Sequence, residues 1–413
     1  MAGDWDEHPL AELCVYLNRG AAPSYVDQKG IIVLNQKCVR EGRVLFTEAR
    51  RTDPVVKAVT TERYLKPYDI LINSTGVGTL GRVAQVLELP EIATVDSHIT
   101  IVRTDSHKMF PRYLGFALRH YQSEIEALAE GSTGQTELSR TRLGNLHIPV
   151  PSDKEQRVIA HILSTLDEKI EMNRKANETL EKIARALFKA WFVDFDPVRA
   201  KAAGRDPALP KHIADLFPDS LEDSELGEIP KGWGVKNLGD MLELAYGKAL
   251  KAEDRHEGSV PVYGSNGQVG WHNECLVAGP GIVVGRKGNP GITTWVPTDF
   301  FPIDTTFYVV PTEACRSPYF LFHALYNQDL ASLGADSAVP GLNRNLAYMS
   351  KQVLPPATLL EIFDYYSSRL SQRIYVSDLQ SKTLATLRDI LMPKLITGEL
   401  RVMDAKRFLK GCE

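Results

Sequence analysis

Two long stretches of this chain repeat apolar residues at steps of three and four positions. In residues 153–193 the repeat falls at Ile159, Ile162, Leu166, Ile170, Leu180, Ala184, Leu187 and Trp191. In residues 358–395 it falls at Phe363, Tyr366, Leu370, Ile374, Leu384, Leu387, Leu391 and Leu395. This spacing predicts two amphipathic helices of about forty residues, each about 60 Å long at 1.5 Å per residue.

Both predicted helices have a polar middle. Asn173 and Asn177 interrupt the apolar face of the first helix, and Ser377 and Gln380 interrupt that of the second. Two helices that pair antiparallel bring their middles together, so these four side chains are expected to face one another. A buried polar layer costs stability but fixes the register and direction of a helix pair. The pattern therefore predicts an antiparallel coiled coil whose register these four residues set.

Outside the helices, similar segments occur twice in the same order. They start at Trp5 and Trp233, Asp69 and Gly281, Val95 and Pro302, Phe110 and Arg316, and Gly131 and Asp336, and each copy then enters one long helix. The third pair shares an acid, at Asp96 and Asp304, and the fourth reads as a short apolar helix. Six matches in one order indicate internal duplication.

The predicted fold class is α+β: two mixed α/β units joined by two long helices that form an antiparallel coiled coil, with a pseudo-two-fold internal repeat. The expected boundaries are 1–151 for the first unit, 152–200 for the first long helix, 201–230 for a linker, 231–356 for the second unit, and 357–413 for the second long helix and tail. Between Asp206 and Pro230 the linker is proline-rich and carries seven acids against one lysine, which predicts a solvated linker or a loop lying on the surface. An acidic decoy for a nucleic-acid groove is the alternative.

Composition fits a soluble protein of two to three domains, with 413 residues, 43% of them hydrophobic and 24% charged. No apolar run approaches the ~20 residues of a membrane span, and the acidic N-terminus does not resemble a signal peptide. The five cysteines are scattered without CxxC spacing, as reduced thiols are. We expect a cytoplasmic protein that does not bind membranes. Its net charge of −4 confines any nucleic-acid surface to a local patch.

The motifs that suggest catalysis lack their structural context. Gly76, Gly78 and Gly81 form a GxGxxG, but a dinucleotide fingerprint needs a helix after the glycine loop, and the residues that follow favour a strand. A tight turn between strands is expected instead. Residues 96–98, Asp-Ser-His, are triad residue types, but neighbours on a strand point to opposite faces. Because no metal-ligand spacing occurs either, the chain is predicted to be non-catalytic, with no cofactor or metal of its own.

The predicted loops of both copies carry basic, amide and hydroxyl side chains that suit DNA. Arg and Lys match guanine edges and phosphates, and Asn and Gln match adenine. The candidates of the first copy are Asn35, Gln36, Lys37, Arg40, Arg43, Ser74, Thr75, Gln135, Thr136 and Arg140. Those of the second copy are Lys248, Arg255, Asn266, Arg286, Lys287, Asn289, Asn343 and Arg344. Each residue alone also fits a solvated surface, and their recurrence in equivalent loops favours DNA binding.

Several segments resemble one known family, the DNA-specificity subunits of type I restriction–modification enzymes. They are LFKAWFVDFDPVRAK from Leu187, GEIPKGW from Gly227, PVYGSNGQVGW from Pro261, GRKGNPG from Gly285, VPGLNRNL from Val339 and LRDILMPKLITGEL from Leu387. Together they make the resemblance specific, and it covers nearly the whole chain.

The resemblance implies that residues 1–151 and 231–356 are target-recognition domains, each reading one half of a split site in double-stranded DNA. The coiled coil would act as a spacer and as the docking surface for two methyltransferase (modification) subunits. Those subunits would carry S-adenosylmethionine, and motor–nuclease (restriction) subunits with ATP and Mg would join for cleavage. Because the two copies differ in length and loops, the half-sites are expected to differ in sequence.

Two other classes of protein remain open. A self-contained adenine methyltransferase or nuclease would need a cofactor loop and a catalytic motif. A coiled-coil adaptor would bind protein, and not DNA, through its globular units.

Overall fold

The computed structural model of the protein describes residues 5–131, 136–335 and 341–401. The chain separates into two compact units: unit 1 comprises Met1–Glu171 with Ser381–Glu413, and unit 2 comprises Met172–Gln380. Two helices of 40 residues each, Asp153–Phe192 and Ala357–Ile396, form as predicted, and each contributes one half to each unit.

The strands of unit 1 are β1 (Glu7–Pro9), β2 (Cys14–Arg19), β3 (Tyr25–Val26), β4 (Ile31–Leu34), β5 (Val39–Arg40), β6 (Arg43–Val44), β7 (Arg50–Thr52), β8 (Ile70–Asn73), β9 (Val83–Gln85), β10 (Ala93–Val95), β11 (Ile99–Thr104), β12 (Ala129–Glu130), β13 (Glu137–Leu138) and β14 (His147–Pro149). Its helices are α1 (Pro111–His120), α2 (Gln122–Ala127), α3 (Arg140–Gly144) and the first half of α4 (Asp153–Phe192).

Unit 2 continues with α5 (Asp196–Ala202), α6 (Lys211–Ala214), β15 (Leu221–Ser224), β16 (Gly227–Pro230), β17 (Gly234–Asn237), α7 (Leu238–Met241), β18 (Leu242–Tyr246), β19 (Val260–Gly264), β20 (Gly267–His272), β21 (Gly281–Gly285), β22 (Thr293–Val296), β23 (Phe301–Pro302), β24 (Thr306–Pro311), α8 (Pro318–Asn327), β25 (Gly334–Ala335), β26 (Gly341–Leu342), α9 (Arg344–Met349), β27 (Lys351–Leu354) and α10 (Ala357–Ile396). Short 3-10 turns occur at Leu10–Leu13, Gln36–Cys38, Phe46–Glu48, Thr61–Arg63, Ala252–Asp254 and Leu330–Leu333.

The main sheet of unit 1 has the strand order β2-β11-β8-β9, with antiparallel neighbours. A second sheet has the order β10-β4-β7-β3, in which β10 and β4 are parallel. Helix α1 begins with a proline at its first turn, where a missing N–H costs nothing, and buries Leu114 and Ala117. Its apolar face shares one core with Ile159 and Leu163 of α4 and with Leu395 of α10. The helix pair therefore completes the core of unit 1.

Unit 2 repeats this plan. Its main sheet has the order β18-β24-β21-β22, and its second sheet, β20-β19-β23, again contains one parallel pair, β19 with β23. The edge pairs β1–β14 and β12–β13 of unit 1 recur as β17–β27 and β25–β26. Sheet order, pairing direction and the short helix α8 all match, which confirms the predicted duplication.

The core of unit 2 is rich in aromatic rings contributed by both long helices. Phe192 of α4 lies 5.2 Å from Phe320 of α8 and 5.1 Å from Phe363 of α10, measured between ring centroids, and both contacts are edge-to-face. Such geometry stabilises aromatic pairs beyond the burial of their area. The end of α4 and the start of α10 are thereby fixed to the same core.

The segment 201–230 is not the solvated linker that was expected. It forms α6 and the hairpin β15–β16, and Ile213, Phe217 and Ile229 are buried in the core of unit 2. Its acidic side chains remain on the outer face, so the sequence average is polar although three apolar side chains anchor the segment. Because burial of such side chains contributes about 1.5–3 kcal/mol each, the segment is an ordered part of unit 2.

Within each unit the two long helices pair antiparallel, as predicted. In unit 1, Arg388 Nη1 of α10 lies 2.7 Å from Asp167 Oδ1 of α4. In unit 2, Asn173 Nδ2 lies 3.0 Å from Gln380 Oε1 and 3.4 Å from the Ser377 carbonyl oxygen. As the residue numbers increase along α4, those of the partner residues in α10 decrease, so the two helices run in opposite directions.

The polar middle of the helix pair is also confirmed, with one addition. Asn173 and Asn177 are 5% and 7% exposed. Asn177 Nδ2 donates to Asp378 Oδ1 at 2.6 Å and to the Ile374 carbonyl oxygen at 3.4 Å. Asp378 therefore belongs to the layer although the apolar pattern did not include it. In the described part of the chain, no helix is both long enough and apolar enough to span a membrane.

Candidate nucleic-acid interface

A loop surface at one end of the main sheet of unit 1 is held by backbone hydrogen bonds. The Ser74 amide donates to the His98 carbonyl oxygen at 2.8 Å, and the Leu138 amide donates to the Ser74 carbonyl oxygen at 2.8 Å. An antiparallel bridge pairs Thr75 with Glu137. Three chain segments that are distant in sequence thus meet at the end of β8.

Unit 2 has the same three bonds at the end of β21. The Arg286 amide donates to the Thr305 carbonyl oxygen at 2.9 Å, and the Leu342 amide donates to the Arg286 carbonyl oxygen at 2.9 Å. The matching antiparallel bridge pairs Lys287 with Gly341. Backbone positions, and not only sequence similarity, therefore define which residues of the two units correspond.

A fourth shared bond extends the correspondence to the ends of β2 and β18. The Gly20 amide donates to the Ile99 carbonyl oxygen at 3.0 Å, and the Gly247 amide donates to the Thr306 carbonyl oxygen at 3.1 Å. Equivalent pairs are then Ser74 and Arg286, Thr75 and Lys287, Arg140 and Arg344, and Arg19 and Tyr246. These residues, with His98 and Glu137, define what we call the unit 1 and unit 2 loop surfaces.

The unit 1 loop surface combines hydroxyl and imidazole groups with two arginines that have partners within the unit. Ser74 is buried, and its hydroxyl lies 2.6 Å from the Thr100 hydroxyl, whereas Thr75 Oγ1 lies 2.7 Å from His98 Nδ1 at the surface. Arg19 forms an ion pair with Glu137 and also donates from Nη2 to the Leu138 carbonyl oxygen at 2.7 Å. The charge of Arg19 is thereby balanced within the unit.

The predicted turn at Gln36 lies against the glycine loop of unit 1. Asn73 Nδ2 donates to the Gln36 carbonyl oxygen at 2.9 Å and to the Thr79 carbonyl oxygen at 3.1 Å. Asn35 caps the turn by accepting from the Lys37 amide, which leaves the Lys37 side chain exposed. The turn at Gln36 and the glycine loop that follows Ser74 and Thr75 are therefore linked through Asn73.

Two other candidates of unit 1 lie elsewhere. Arg40 and Arg43 stand on the hairpin β5–β6, where Arg43 Nη1 lies 3.1 Å from Glu171 Oε2 on α4. A Cβ added to the turn residue Gly42 would lie 2.9 Å from the Arg119 guanidinium. Through these contacts the hairpin packs against α4 and α1. Arg140 donates to Asn18 beside Arg19, Thr136 lies half-buried next to Glu137, and Gln135 lies outside the described residues.

The unit 2 loop surface is basic and contains aromatic rings. The guanidinium carbons of Arg286 and Arg344 lie 4.8 Å and 4.9 Å from the centroid of the Tyr246 ring, which is 50% exposed. Lys287 is exposed beside Arg286. Lys248 follows Gly247, and its amide donates to the Pro302 carbonyl oxygen at 3.0 Å. Two basic side chains of unit 2, Arg286 and Arg344, thus share one tyrosine ring.

The remaining candidates of unit 2 have local structural partners. Asn289 and Asn266 bond to each other through their side chains. Asn343 caps α9 by accepting from the Leu346 amide at 3.2 Å, and Arg255 Nη1 donates to the Val269 carbonyl oxygen at 2.8 Å. An asparagine cap and a strand-bound arginine stabilise the fold whether or not DNA binds.

Sequence reasoning missed Arg19 and Tyr246, although a signal was present. Each directly precedes a glycine, Gly20 or Gly247, at the end of the first segment that recurs in the two copies. A Cβ on either glycine would lie 2.1 Å from a carbonyl oxygen of the opposing chain segment. This close approach fixes the backbone, and therefore the direction of the preceding side chain, in both units.

The acids Asp96 and Asp304 are not equivalent, which corrects the expected match. The Asp96 amide donates to the Leu34 carbonyl oxygen, and the residue that makes the same bond in unit 2 is Ile303, which donates to the Tyr263 carbonyl oxygen. Asp96 is 2% exposed, so burial raises the pKa of its carboxyl, while the hydrogen bond from the His98 amide opposes this. Asp304 is exposed.

The glycine motif and residues 96–98 each have a defined local structure. Gly76, Gly78 and Gly81 have positive φ angles and turn the chain between the antiparallel strands β8 and β9, so the loop is not followed by a helix N-terminus. His98 pairs with Thr75, and the Asp96 side chain accepts from the His98 backbone amide, so the three neighbouring residues do not form a triad. Among the described residues, no group of three His, Cys, Asp or Glu side chains could hold a metal ion.

The fold is a duplicated α/β unit completed by an antiparallel helix pair, and the two copies carry polar loops at equivalent positions. The protein therefore belongs to the class of internally repeated proteins with one loop surface on each copy. Comparison with known proteins then identifies the family. The family model described as the type I restriction modification DNA specificity domain matches residues 3–182 and 230–345, and the chain belongs to this family.

Relatives and a solved structure agree with this assignment. The HindI specificity subunit of Haemophilus influenzae is 24% identical over 473 residues, which span 96% of this chain and 100% of that protein. The MjaIX specificity subunit of Methanocaldococcus jannaschii is 27% identical over 322 residues, spanning 71% of this chain and 69% of that protein. The crystal structure of a type I restriction–modification S subunit from M. genitalium has a TM-score of 0.59 at 20% identity, covers 95% of this chain and 96% of that one, and shows the shared fold.

Proposed function

We propose that this chain is the non-catalytic DNA-specificity subunit of a type I restriction–modification system and reads a two-part site in double-stranded DNA, one part with each unit. The observation that carries the proposal is a repeated backbone frame with different side chains. Ser74 and Thr75 in unit 1 occupy the positions of Arg286 and Lys287 in unit 2. A constant frame with variable side chains suits recognition of two different base sequences.

The chemistry of both loop surfaces fits base edges and phosphates. Arginine donates in pairs to guanine, hydroxyl groups bond to several bases, and exposed lysines such as Lys37, Lys248 and Lys287 neutralise phosphates. Since the chain as a whole carries a net charge of −4, attraction to DNA must come from these local groups and from partner subunits.

We also propose that the helix pair docks two methyltransferase subunits. In unit 2 the helices expose apolar side chains that the core does not use: Met172 at 62% and Ile183 at 49% on α4, and Tyr365 at 52% and Val376 at 46% on α10. Exposed apolar side chains along both helices support a protein interface at this surface. S-adenosylmethionine would bind to those subunits, and ATP and Mg to the motor–nuclease subunits.

Methylation mapping tests the proposal. The chain is co-expressed with its methyltransferase subunits, and methylated adenines are located by sequencing genomic DNA. A single two-part motif is expected. Replacing residues 231–356 by the corresponding segment of the Haemophilus relative should change one half of the motif and leave the other half intact. An unchanged motif would refute the assignment of one half-site to each unit.

Two further measurements separate the alternatives. A self-contained methyltransferase requires that the isolated chain bind S-adenosylmethionine, whereas the proposal expects calorimetry to detect no binding. A protein adaptor requires that the chain with its methyltransferase partners leave DNA unshifted in a gel, whereas the proposal expects a sequence-dependent shift.

A further inference from the structure

The unit 2 loop surface has a guanidinium where the unit 1 surface has a hydroxyl. Ser74 of unit 1 is buried and bonded to Thr100, so it cannot reach a base. At the equivalent position Arg286 of unit 2 is half-buried and extends along Tyr246. The two units therefore differ in side-chain charge at equivalent backbone positions, those of Ser74 and Arg286.

Aromatic rings hold both guanidinium groups of unit 2. The Arg286 guanidinium carbon lies 4.8 Å from the Tyr246 centroid and 5.8 Å from that of Phe307. The Arg344 guanidinium carbon lies 4.9 Å from the Tyr246 centroid and 5.7 Å from that of Tyr348. Each cation thus contacts two rings, with Tyr246 common to both, and cation–π attraction favours this arrangement.

The hydrogen bonds of these arginines leave most of their donors for a ligand. Arg286 Nη1 donates to the Asp304 carbonyl oxygen at 3.0 Å, and Arg344 Nη1 approaches the Leu244 carbonyl oxygen at 3.5 Å. A guanidinium has five N–H donors in a fixed fork, and the bonds named here involve a single nitrogen of each group. Since stacking has already restricted the side chains, binding a planar acceptor pair costs less ordering entropy.

The arginines of the unit 1 loop surface have partners within the unit. Arg140, which occupies the position of Arg344, is exposed and donates to the side-chain oxygen of Asn18. Arg19, which occupies the position of Tyr246, is paired with Glu137 and bonded to the Leu138 carbonyl oxygen. Gly341 of unit 2 stands where Glu137 stands in unit 1, so unit 2 has no carboxylate at that point to compete with DNA. The Thr75 hydroxyl and the His98 imidazole form a further polar contact at the surface of unit 1.

We propose that unit 2 reads guanine through Arg286 and Arg344, with Tyr246 as the residue that positions both guanidinium groups, and that unit 1 reads its half-site without a guanidinium at the position of Arg286. The inference rests on the proposed function and names the base that unit 2 selects. The N7 and O6 acceptors of guanine in the major groove match an arginine fork, and such a pair discriminates against the other bases.

The test uses the full chain assembled with its methyltransferase subunits on a DNA library in which both half-sites are randomised. Arg286→Lys and Arg344→Lys keep the charge but lose the fork. Each is expected to reduce selection of one guanine in the unit 2 half-site at least tenfold, with the salt dependence of binding and the unit 1 half-site unchanged. Arg316→Lys, an exposed arginine of unit 2 paired with Glu313, is the matched control and should select the wild-type motif.

Tyr246 needs a separate test, because it acts through the two arginines. Tyr246→Phe keeps the ring and should preserve selection, whereas Tyr246→Leu should relax selection at the same guanine positions as the arginine variants. Thermal unfolding of each variant checks that unit 2 remains folded.

The outcomes separate this inference from the proposed function. If Arg286→Lys and Arg344→Lys weaken methylation of all sites evenly, the arginines contact phosphate, and the inference is wrong while the proposed function stands. If the unit 2 half-site contains no guanine, the inference is likewise wrong. If exchanging residues 231–356 alters neither half of the motif, the proposed function itself is refuted.

Discussion

At the scale of single residues, burial shifts the pKa values of two groups in unit 2, and the two shifts have opposite effects on stability as the pH changes. His323 is 6% exposed and stacks on Phe188 at 5.4 Å, and burial, with a smaller effect of Arg185, lowers the pKa of its imidazole to about 4. Burial also raises the pKa of the Asp364 carboxyl to about 6, although the Ser317 hydroxyl donates to it at 2.6 Å. In both cases burial favours the neutral form, which is the deprotonated imidazole of His323 and the protonated carboxyl of Asp364.

These shifts predict compensating pH effects between pH 7 and pH 5. The folded state takes up the Asp364 proton first, because its pKa of about 6 exceeds the ordinary 3.8, so stability increases by about 1 kcal/mol as the pH falls. The unfolded state takes up the His323 proton first, because about 4 lies below the ordinary 6.5, so stability decreases by about 2 kcal/mol. The wild-type chain should therefore change little.

Replacing one of the two groups should reveal the effect of the other on the pH dependence of stability. We expect Asp364→Asn to lose about 2 kcal/mol of unfolding free energy between pH 7 and pH 5, and His323→Leu to gain about 1 kcal/mol. Urea unfolding followed by tryptophan fluorescence measures this, since four of the five tryptophans (Trp191, Trp233, Trp271 and Trp295) lie in unit 2. Equal pH dependence of the two variants would contradict the assignment.

Sequence reasoning found the loops of the candidate site but not the partners of its side chains. Arg43 and Arg255 were counted as DNA candidates, and the structure shows them bonded to Glu171 and to the Val269 carbonyl oxygen. Glu171 is 128 residues away from Arg43 along the chain. Composition and local pattern carry no information about such pairs, so a basic loop residue and a basic structural residue look alike in the sequence.

At the scale of elements, the two long helices were predictable because their apolar period persists for forty residues, far longer than a strand or a short helix. The polar layer was predictable from interruptions of the same period. Asp378 was not, because it is exposed and reaches the layer from beside the apolar face. Periodicity identifies the residues that face the partner helix, but not a polar side chain such as that of Asp378, which contacts the partner from beside the apolar face.

Replacing Asn173 and Asn177 together by leucine should raise the free energy of unfolding by about 1–2 kcal/mol and loosen the register of the helix pair. The change also removes Asn177 Oδ1, a buried acceptor without a hydrogen-bond partner among the described residues. Thermal unfolding measures the stability, and disulfide trapping between cysteines placed along α4 and α10 measures the register. Thr179→Leu on the exposed face of α4 is the control. A sharp loss of stability in the double variant would count against a register role.

A second element-scale prediction concerns Asp167, which ties three helices of unit 1 together. Its carboxylate lies 3.0 Å from Arg119 of α1 and 2.7 Å from Arg388 of α10, and both arginine side chains are less than one-fifth exposed. Asp167→Ala removes the shared anion of these two largely buried cations and leaves Arg388 with Asp389, at 2.8 Å, as its remaining carboxylate. We expect a loss of about 2–3 kcal/mol in unfolding free energy.

Its matched control lies on the same helix. Glu181 pairs with Arg185 at 3.3 Å, but both side chains are substantially exposed. Glu181→Ala should therefore cost less than about 0.5 kcal/mol, because solvent screens such pairs. If the two substitutions cost the same in denaturant unfolding, the Asp167 cluster contributes no more than an ordinary surface ion pair.

At the scale of the whole molecule, the duplicated fold was predictable because six weak matches in one order constrain each other. The structure of segment 201–230 was not predictable in this way. Its buried residues Ile213, Phe217 and Ile229 are separated in the sequence by many acidic residues, so the segment as a whole reads as polar. Equivalence at single-residue precision also required the structure: sequence similarity paired Asp96 with Asp304, and the hydrogen bonds pair Asp96 with Ile303. Strand pairing fixes register in a way that short sequence matches do not.

The duplication also predicts that the length of the helix pair sets the gap between the two half-sites. Both helices run from one unit into the other, changing units after Glu171 in α4 and after Gln380 in α10. Inserting seven residues at both points adds about 10.5 Å to each helix and keeps the apolar faces aligned. At 3.4 Å per base pair, the unread gap should grow by about three base pairs while both half-sites keep their sequences.

Methylation mapping of the lengthened chain, assembled with its methyltransferase subunits, measures the gap directly. Seven residues inserted into the turn at Glu225–Leu226, between β15 and β16, provide the control and should leave the gap unchanged. Because the insertion in the helices moves no side chain of either loop surface, a changed gap with unchanged half-sites would assign spacing to the helices and base selection to the units. A lengthened helix pair that still selects the original gap would show that spacing is set by the partner subunits or by the DNA.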